Sequence, residues 1–332
     1  MTGSEREHTI SVVVPVYQGE STLPAVVAEL EKWVEPFTTP AGHRARVGEV
    51  VLVHDCGPDG SDVAIRELAE RWQWVRPVWL SRNFGQHAAT LAGMASAGGD
   101  WVATMDEDGQ HDPADLGAML DAALGERADV VYAAPVNPAP HGALRNVASA
   151  TAKRSIRLLS GRSGAQIFHS YRFVLGDVAR SVAAYSGAGV YLDVALAWVS
   201  RHATTVPVTL REEGGRRSGY RWRTLMSHYW RMVITGGTRM LRLVSALGVA
   251  LAVVGILFAA VVIGLKLSGH IDEAGWASAM VVALLSSGAV LFALGVMAEY
   301  LGVAVNMAMG RPLYLIVSDR ADGPLGPGSE QP

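Results

Sequence analysis

Two stretches near the C-terminal end carry no charged residue, Leu243 to Leu265 and Ala274 to Ala298, of 23 and 25 residues. A helix of about 20 apolar residues crosses the roughly 30 Å hydrocarbon core of a bilayer. Core helices of soluble proteins rarely keep such runs free of charge, so each run is expected to span a membrane. A short polar hairpin, Lys266-Leu-Ser-Gly-His-Ile-Asp-Glu273, separates them. Arg221, Arg223, Arg231, Arg239 and Arg242 crowd the approach to the first run, and Arg311 and Arg320 follow the second. Positive charge marks the cytoplasmic side, so both flanks are expected there and the hairpin outside. The expected organisation is a cytosolic domain over 1–219, a juxtamembrane segment over 220–242, two spans over 243–302 and a cytosolic tail over 303–332. Trp222, Tyr229 and Trp230 interleave with arginines in the juxtamembrane segment. That suits an amphipathic helix at headgroup level, with a soluble amphipathic helix as the alternative.

Composition agrees with a membrane-anchored chain. The 332 residues are 50% hydrophobic, and the mean hydropathy of +0.22 is high for a soluble enzyme. Net charge is -3 and the pI about 6.4, which gives no case for a nucleic-acid partner. Cys56 is the only cysteine, so no internal disulfide can form and a reducing compartment is expected. The polar, charged opening from Met1 to His8 does not read as a signal peptide.

The first half alternates two periodicities. Apolar β-rich runs at Thr9–Pro15, Glu49–Val53, Arg76–Leu80, Trp101–Met105 and Val130–Ala133 alternate with helical patterns at Thr22–Trp33, Asp62–Trp72, His87–Ala97 and Pro113–Leu124. Continuous apolar strands between helices predict an α/β domain, a mostly parallel sheet covered on both faces. Ligands of such sheets gather beyond the carboxyl ends of the strands. Pro15-Val-Tyr17, His54-Asp55, Arg82-Asn83 and Asp106-Glu-Asp108 all follow predicted strands. Neither G-x-G-x-x-G nor G-x-x-x-x-G-K-[ST] occurs, so dinucleotide and P-loop readings lack their phosphate cradles.

Asp106-Glu-Asp-Gly-Gln-His111 is the most chemically pointed segment. Two carboxylates one residue apart at a strand end can converge on one hard cation, with Gln110 adding a neutral oxygen. Such a donor set suits Mg²⁺ or Mn²⁺ bridged to a diphosphate. The plainer reading is an acidic turn before a helix, since Asp112-Pro113 looks like an N-cap with proline at N1.

Taken together, these segments resemble a family 2 glycosyltransferase of the GT-A, Rossmann-like fold. More narrowly, they resemble the polyprenyl-phosphate sugar transferases related to dolichol-phosphate mannose synthase. Val12-Val-Val-Pro-Val-Tyr17 matches the opening strand. His54-Asp55-Cys-Gly-Pro-Asp59-Gly-Ser61 matches D-D-x-S-x-D-G-S, and Ser81-Arg-Asn-Phe-Gly-Gln-His87 matches the R-N-x-G segment. Asp106-Glu-Asp-Gly-Gln-His111 matches D-A-D-L-Q-H, and Arg211-Glu-Glu-Gly214 with Ser218-Gly-Tyr220 resembles R-x-x-G-x-S-x-Y. Glu299-Tyr-Leu-Gly302 and Arg311-Pro-Leu-Tyr314 resemble the bacterial two-span members.

The resemblance implies roles. Pro15, Tyr17, Val53, Asp55, Asp106 and Glu107 would hold the nucleotide, and Asp106, Asp108 and Gln110 would bind Mg²⁺ or Mn²⁺ with the diphosphate. Arg211 would close over the diphosphate on a loop, completing a catalytic set with Asp106 and Asp108. Arg145 and Ser149 would hold the phosphate of a polyprenyl phosphate acceptor. The implied reaction is inverting sugar transfer from a nucleotide-sugar donor to that lipid at the bacterial inner membrane, by a homo-oligomer, a tetramer in the family. The segment Asn83-Phe-Gly-Gln-His87 leans toward members that use UDP-sugars, with GDP-mannose as the alternative donor. Departures stand out: His54 replaces an aspartate, Gly19 replaces a glutamate that Glu20 could supply, and Tyr132-Ala-Ala-Pro135 replaces a G-[ST]-R. Gln166 stands where an aspartate is common.

An acceptor hydroxyl needs a general base, whereas a lipid phosphate is already an anion and needs only positioning. No base motif and no Q-x-x-R-W is present; Ser218-Gly-Tyr-Arg-Trp222 stands at the comparable place. Transfer to a glycolipid hydroxyl and a non-catalytic membrane-anchored relative remain the competing readings.

Overall fold

The structure, a computed structural model, describes residues 6–137, 168–187, 191–211, 239–268, 275–310, 312–319 and 321–322. The chain divides into two compact units. One holds Met1–Ser149, Gly164–Arg221 and Pro312–Pro332, the other Ala150–Ser163 and Trp222–Arg311.

The first unit is built on β1 (His8–Val16), α1 (Leu23–Glu31), β2 (Phe37–Thr38), β3 (Arg44–His54), α2 (Ser61–Arg71), β4 (Val75–Leu80), α3 (Gln86–Ser96), β5 (Trp101–Thr104), α4 (Asp115–Glu126) and β6 (Val130–Pro135). After these come β7 (Arg172–Leu175), α5 (Gly176–Tyr185), α6 (Leu192–Val199) and β8 (Ala203–Val208). The second unit contributes α7 (Arg239–Leu267) and α8 (Trp276–Ala308), after which β9 (Ile316–Val317) returns to the first. One sheet runs in the order β8-β6-β7-β5-β1-β3-β4-β9, with β2 hairpinned onto β3.

The apolar strands explain the layers. Along β1, Ile10, Val12, Val14 and Val16 pack with Leu23, Leu30, Ile65 and Leu120 of α1, α2 and α4. Val13, between them, packs with Ala89, Leu91 and Val182 of α3 and α5. Successive side chains of a strand point to opposite faces, so a continuous apolar run is what a sheet covered on both faces requires. The predicted strands and helices up to Ala133 all form, with ends shifted by a few residues and β3 extended back to Arg44.

The sheet is mostly parallel, as expected, but mixed. The core β5-β1-β3-β4 is parallel, but β7 runs antiparallel between β5 and β6, and β2 and β9 add antiparallel edges. This reversal matters for the site. Because β7 runs backwards, its first residue Arg172 pairs with Thr104, at the last residue of β5. The residues before β7 thus reach the edge where the parallel strands end.

In the second unit, α7 and α8 contain Val244–Leu265 and Leu285–Ala308, both long and apolar enough to cross a membrane. Their mean hydropathies are 2.9 and 1.9. Large apolar side chains such as Ile256, Phe258, Leu285 and Leu291 are more than half exposed, as helices solvated by lipid would show. Residues 269–274, which include most of the polar hairpin, and most of the juxtamembrane segment lie outside the described residues.

Candidate active site

Beyond the carboxyl ends of β1, β3, β4 and β5 lies a cavity of about 580 Å³, lined chiefly by Pro15, Tyr17, Asp55, Gln86, Asp106 and Asp108, together with Asn83, Gly85, Ala89, Glu107 and Ser170. Parallel strands deliver these residues together because all four end at the same edge. Of the residues expected to hold a nucleotide, the cavity gathers Pro15, Tyr17, Asp55, Asp106 and Glu107. Val53 lies deeper, fully buried against α3. Its side chain is part of the core.

Asp55 and Glu107 shape the loops around the cavity. Asp55 accepts the backbone N–H of Phe84 at 2.7 Å and of Gly85 at 2.8 Å, which fixes the β4–α3 loop. Burial pushes its carboxyl above the usual range, and those two hydrogen bonds pull the other way. Glu107 accepts from the backbone N–H of Tyr17 at 2.9 Å and of Gln18 at 3.1 Å, holding the β1–α1 loop over the sheet edge. A Cβ at Gly19 would lie 2.8 Å from both the Glu107 carboxylate and Leu23 Cγ, so a side chain there would force these two to shift. Glu20 accepts from Gly60 N at 3.0 Å, while its own N–H donates to Asp59. Its carboxylate thus joins the first two loops.

Asp106 stands at the centre. Its Oδ1 accepts from Gln86 Nε2 at 2.6 Å and its Oδ2 from Ser170 Oγ at 2.5 Å, while its backbone N–H donates to His111 Nδ1 at 3.0 Å. The side chain is 24% exposed. Asp108 Oδ1 accepts the N–H of Gln110 at 3.0 Å, a turn that Gly109 permits with φ of +75°. Burial raises the pKa of both carboxyls, and the charge of Asp106 raises Asp108 further. His111 is buried against Tyr171, with ring centroids 4.7 Å apart, and burial pushes its pKa down to about 4. A neutral ring accepting at Nδ1 is the consistent state.

A divalent cation fits these residues. The donors are hard oxygens, each carboxylate oxygen keeps a lone pair beyond any hydrogen bond it accepts, and two carboxyls raised by burial, Asp108 also by the charge of Asp106, are relieved by added positive charge. Among the described residues no group of three His, Cys, Asp or Glu is placed to hold a metal. A cation at Asp106 and Asp108 would complete its shell with non-protein oxygens, as Mg²⁺ commonly does. Gln110 does not line the cavity, and both its peptide groups are engaged, its carbonyl accepting from Arg211 N at 3.0 Å.

Arg211 is bound elsewhere. Its guanidinium donates to Glu29 Oε2 at 2.5 Å and to Asp112 Oδ2 at 2.8 Å, and these bonds, the Glu29 one first, raise its pKa. Arg145 and Ser149 lie outside the described residues, as do Gln166 and the loop after Arg211. Sequence reasoning did not single out Gln86 or Ser170. Gln86 lies in the Asn83–His87 segment, and Ser170 is brought to Asp106 by the backward run of β7.

A family model described as "Glycosyl transferase family 2" matches residues 11–179. Undecaprenyl-phosphate 4-deoxy-4-formamido-L-arabinose transferase of Pseudomonas aeruginosa is 31% identical over 319 residues, covering 92% of this chain and 89% of the relative. The protein of that name from Pseudomonas fluorescens is 30% identical over 328 residues, covering 96% and 92%. Among solved structures, glucosyl-3-phosphoglycerate synthase from Mycobacterium tuberculosis, with Mn²⁺, UDP and phosphoglyceric acid, has a TM-score of 0.50 at 16% identity, covering 70% of this chain and 78% of that one. A mycobacterial protein has a TM-score of 0.51 at 18% identity, covering 70% and 74%. These likenesses concern the fold, a GT-A-like α/β sheet. Joined to the family match over the sheet and to the likeness along nearly the whole length, they lead to one conclusion: the chain belongs to glycosyltransferase family 2.

Proposed function

We propose that this enzyme transfers a sugar from a nucleotide-sugar, a UDP-sugar by preference, to a polyprenyl phosphate, with inversion at the anomeric carbon. The observation that carries this reading is how the cavity carboxylates are used. Asp55 and Glu107 hold backbone N–H groups, and Asp106 and Asp108 line the same cavity, where they are assigned to the cation. None is left as a base for an acceptor hydroxyl, and a phosphate acceptor needs none. Both relatives described above carry undecaprenyl-phosphate in their names, and two membrane-length helices suit a lipid acceptor. The exposed ring of Tyr17, at the cavity wall, offers a face to the nucleobase.

Asp106 and Asp108 would hold Mg²⁺ or Mn²⁺, which when bound supplies Lewis-acid stabilisation of the leaving diphosphate. Gln86 and Ser170 donate hydrogen bonds to Asp106, and Arg211 leaves Glu29 and Asp112 to meet the diphosphate. Arg145 and Ser149 hold the lipid phosphate at the cytoplasmic face of the inner membrane. The test is a screen of UDP- and GDP-sugars against undecaprenyl phosphate with membranes and Mn²⁺. Label should enter the lipid from a UDP-sugar; transfer from GDP-mannose alone would overturn the donor assignment.

A further inference from the structure

Beneath Asp106 lies a charged pair that the proposed reaction does not use. Arg172 is 4% exposed and Asp193 1% exposed. Arg172 Nε donates to Asp193 Oδ1 at 2.5 Å and Nη2 to Oδ2 at 2.8 Å. Breaking such a buried pair is costly, whereas well-packed apolar residues in its place are often neutral or better. Stability alone therefore gives little reason for the pair, and its third nitrogen shows where it leads. Arg172 Nη1 donates to the carbonyl of Ser170 at 3.0 Å, and Thr104 Oγ1 donates to that same carbonyl at 2.5 Å. Ser170 is thus gripped through its backbone, and its hydroxyl donates to Asp106 Oδ2 at 2.5 Å. The other end of the pair closes a ring. Asp193 sits in the first turn of α6, two residues after Tyr191, whose ring lies 4.0 Å from that of His87. His87 follows Gln86, which donates to Asp106 Oδ1.

We propose that Ser170, held by the Arg172–Asp193 pair, is a positioning residue for the cation ligand Asp106. Its hydroxyl occupies one lone pair of Oδ2, pins the carboxylate in one orientation and turns the remaining lone pairs toward Asp108. This rests on the reading of Asp106 and Asp108 as a cation site. Residues that orient metal ligands commonly contribute about 10–100-fold to metal affinity.

The experiment is Mn²⁺ titration of the full-length detergent-solubilised protein with UDP, read by the EPR signal of free Mn²⁺, beside thermal melting. Ser170→Thr and Ser170→Val add the same branch and differ in hydroxyl against methyl. The threonine variant should bind Mn²⁺ within a few-fold of the unmodified protein. The valine variant should bind about 10–100-fold more weakly while melting at the same temperature as the threonine variant. Equal Mn²⁺ affinity in the two variants would overturn the proposal, as would a loss in the valine variant matched by a fall in its melting temperature. Asp108→Ala separates the two readings. If it also binds Mn²⁺ normally, the cation site itself is wrong; if it alone loses Mn²⁺, only the role of Ser170 fails.

Discussion

His54 ends β3 beside Trp79, with ring centroids 5.4 Å apart, and its Nε2 is buried without a hydrogen-bond partner among the described residues. Burial lowers its pKa below 6.5, against the pull of Asp62 and Asp59. A base whose folded pKa is depressed contributes stability that is present above its unfolded pKa and is lost as pH falls toward the folded value. His111 and His169, both lowered to about 4, act in the same direction below pH 6.5. The raised carboxyls of Asp55, Asp106 and Asp108 act in the opposite one, so the readout is a difference between proteins. His54→Leu should lose less melting temperature between pH 7 and pH 5.5 than the unmodified protein; an equal loss would show that His54 is not held neutral. Arg211 gives a second residue-scale expectation. Its ion pairs leave both sides partly exposed, and such pairs are worth about 0–1 kcal/mol. Arg211→Ala should therefore cost little stability yet reduce kcat/KM for the nucleotide-sugar. Arg145→Ala should instead raise the KM for polyprenyl phosphate, by about 1.5–3 kcal/mol in binding if the contact is charge-assisted. Steady-state kinetics with each substrate varied separates the two sites, and an unchanged lipid KM in Arg145→Ala would move the acceptor phosphate elsewhere.

Elements with strong periodicity were legible from the sequence, and short ones were not. The runs that became β1, β3, β4, β5 and β6 are continuously apolar because helices cover both faces, and that pattern survives in a single sequence. β2 and β9 have two residues each, too few to carry a period, and β7, as short as β5, opens on a charged arginine instead of an apolar run. Missing β7 meant missing the antiparallel order, and with it Ser170 and the role of Arg172. Strand-end residues such as Asp55 and Asp106 were readable because their position follows from chain direction alone. β9 was placed in a tail, yet it seals the β4 edge, with Leu313 and Tyr314 packed on the α3 face. Asp319, 10% exposed, binds Arg66 at 2.6 and 2.9 Å. Asp319→Asn should lower stability by about 1–2 kcal/mol, the partly exposed Arg66 limiting the effect. Thermal melting at constant detergent checks this, and an unshifted transition would show that the returning strand contributes nothing through this pair.

On the scale of the whole molecule, arginines flank both spans on one side and a short polar hairpin lies between them. A reporter fused after Asp322 should label as cytoplasmic, and one inserted at Gly269 as external; the reverse would place the catalytic unit away from nucleotide-sugars. The central claim is that a nucleotide-sugar meets a lipid phosphate beside Asp106 and Asp108. The most direct measurement offers membranes holding the unmodified enzyme or Asp108→Ala a labelled UDP-sugar with either polyprenyl phosphate or the matching polyprenol. Label should enter polyprenyl phosphate only, should require Mg²⁺ or Mn²⁺, and should vanish in Asp108→Ala while the variant stays folded in the membrane. Equal labelling of the polyprenol, or undiminished transfer in excess EDTA or in Asp108→Ala, would contradict the account.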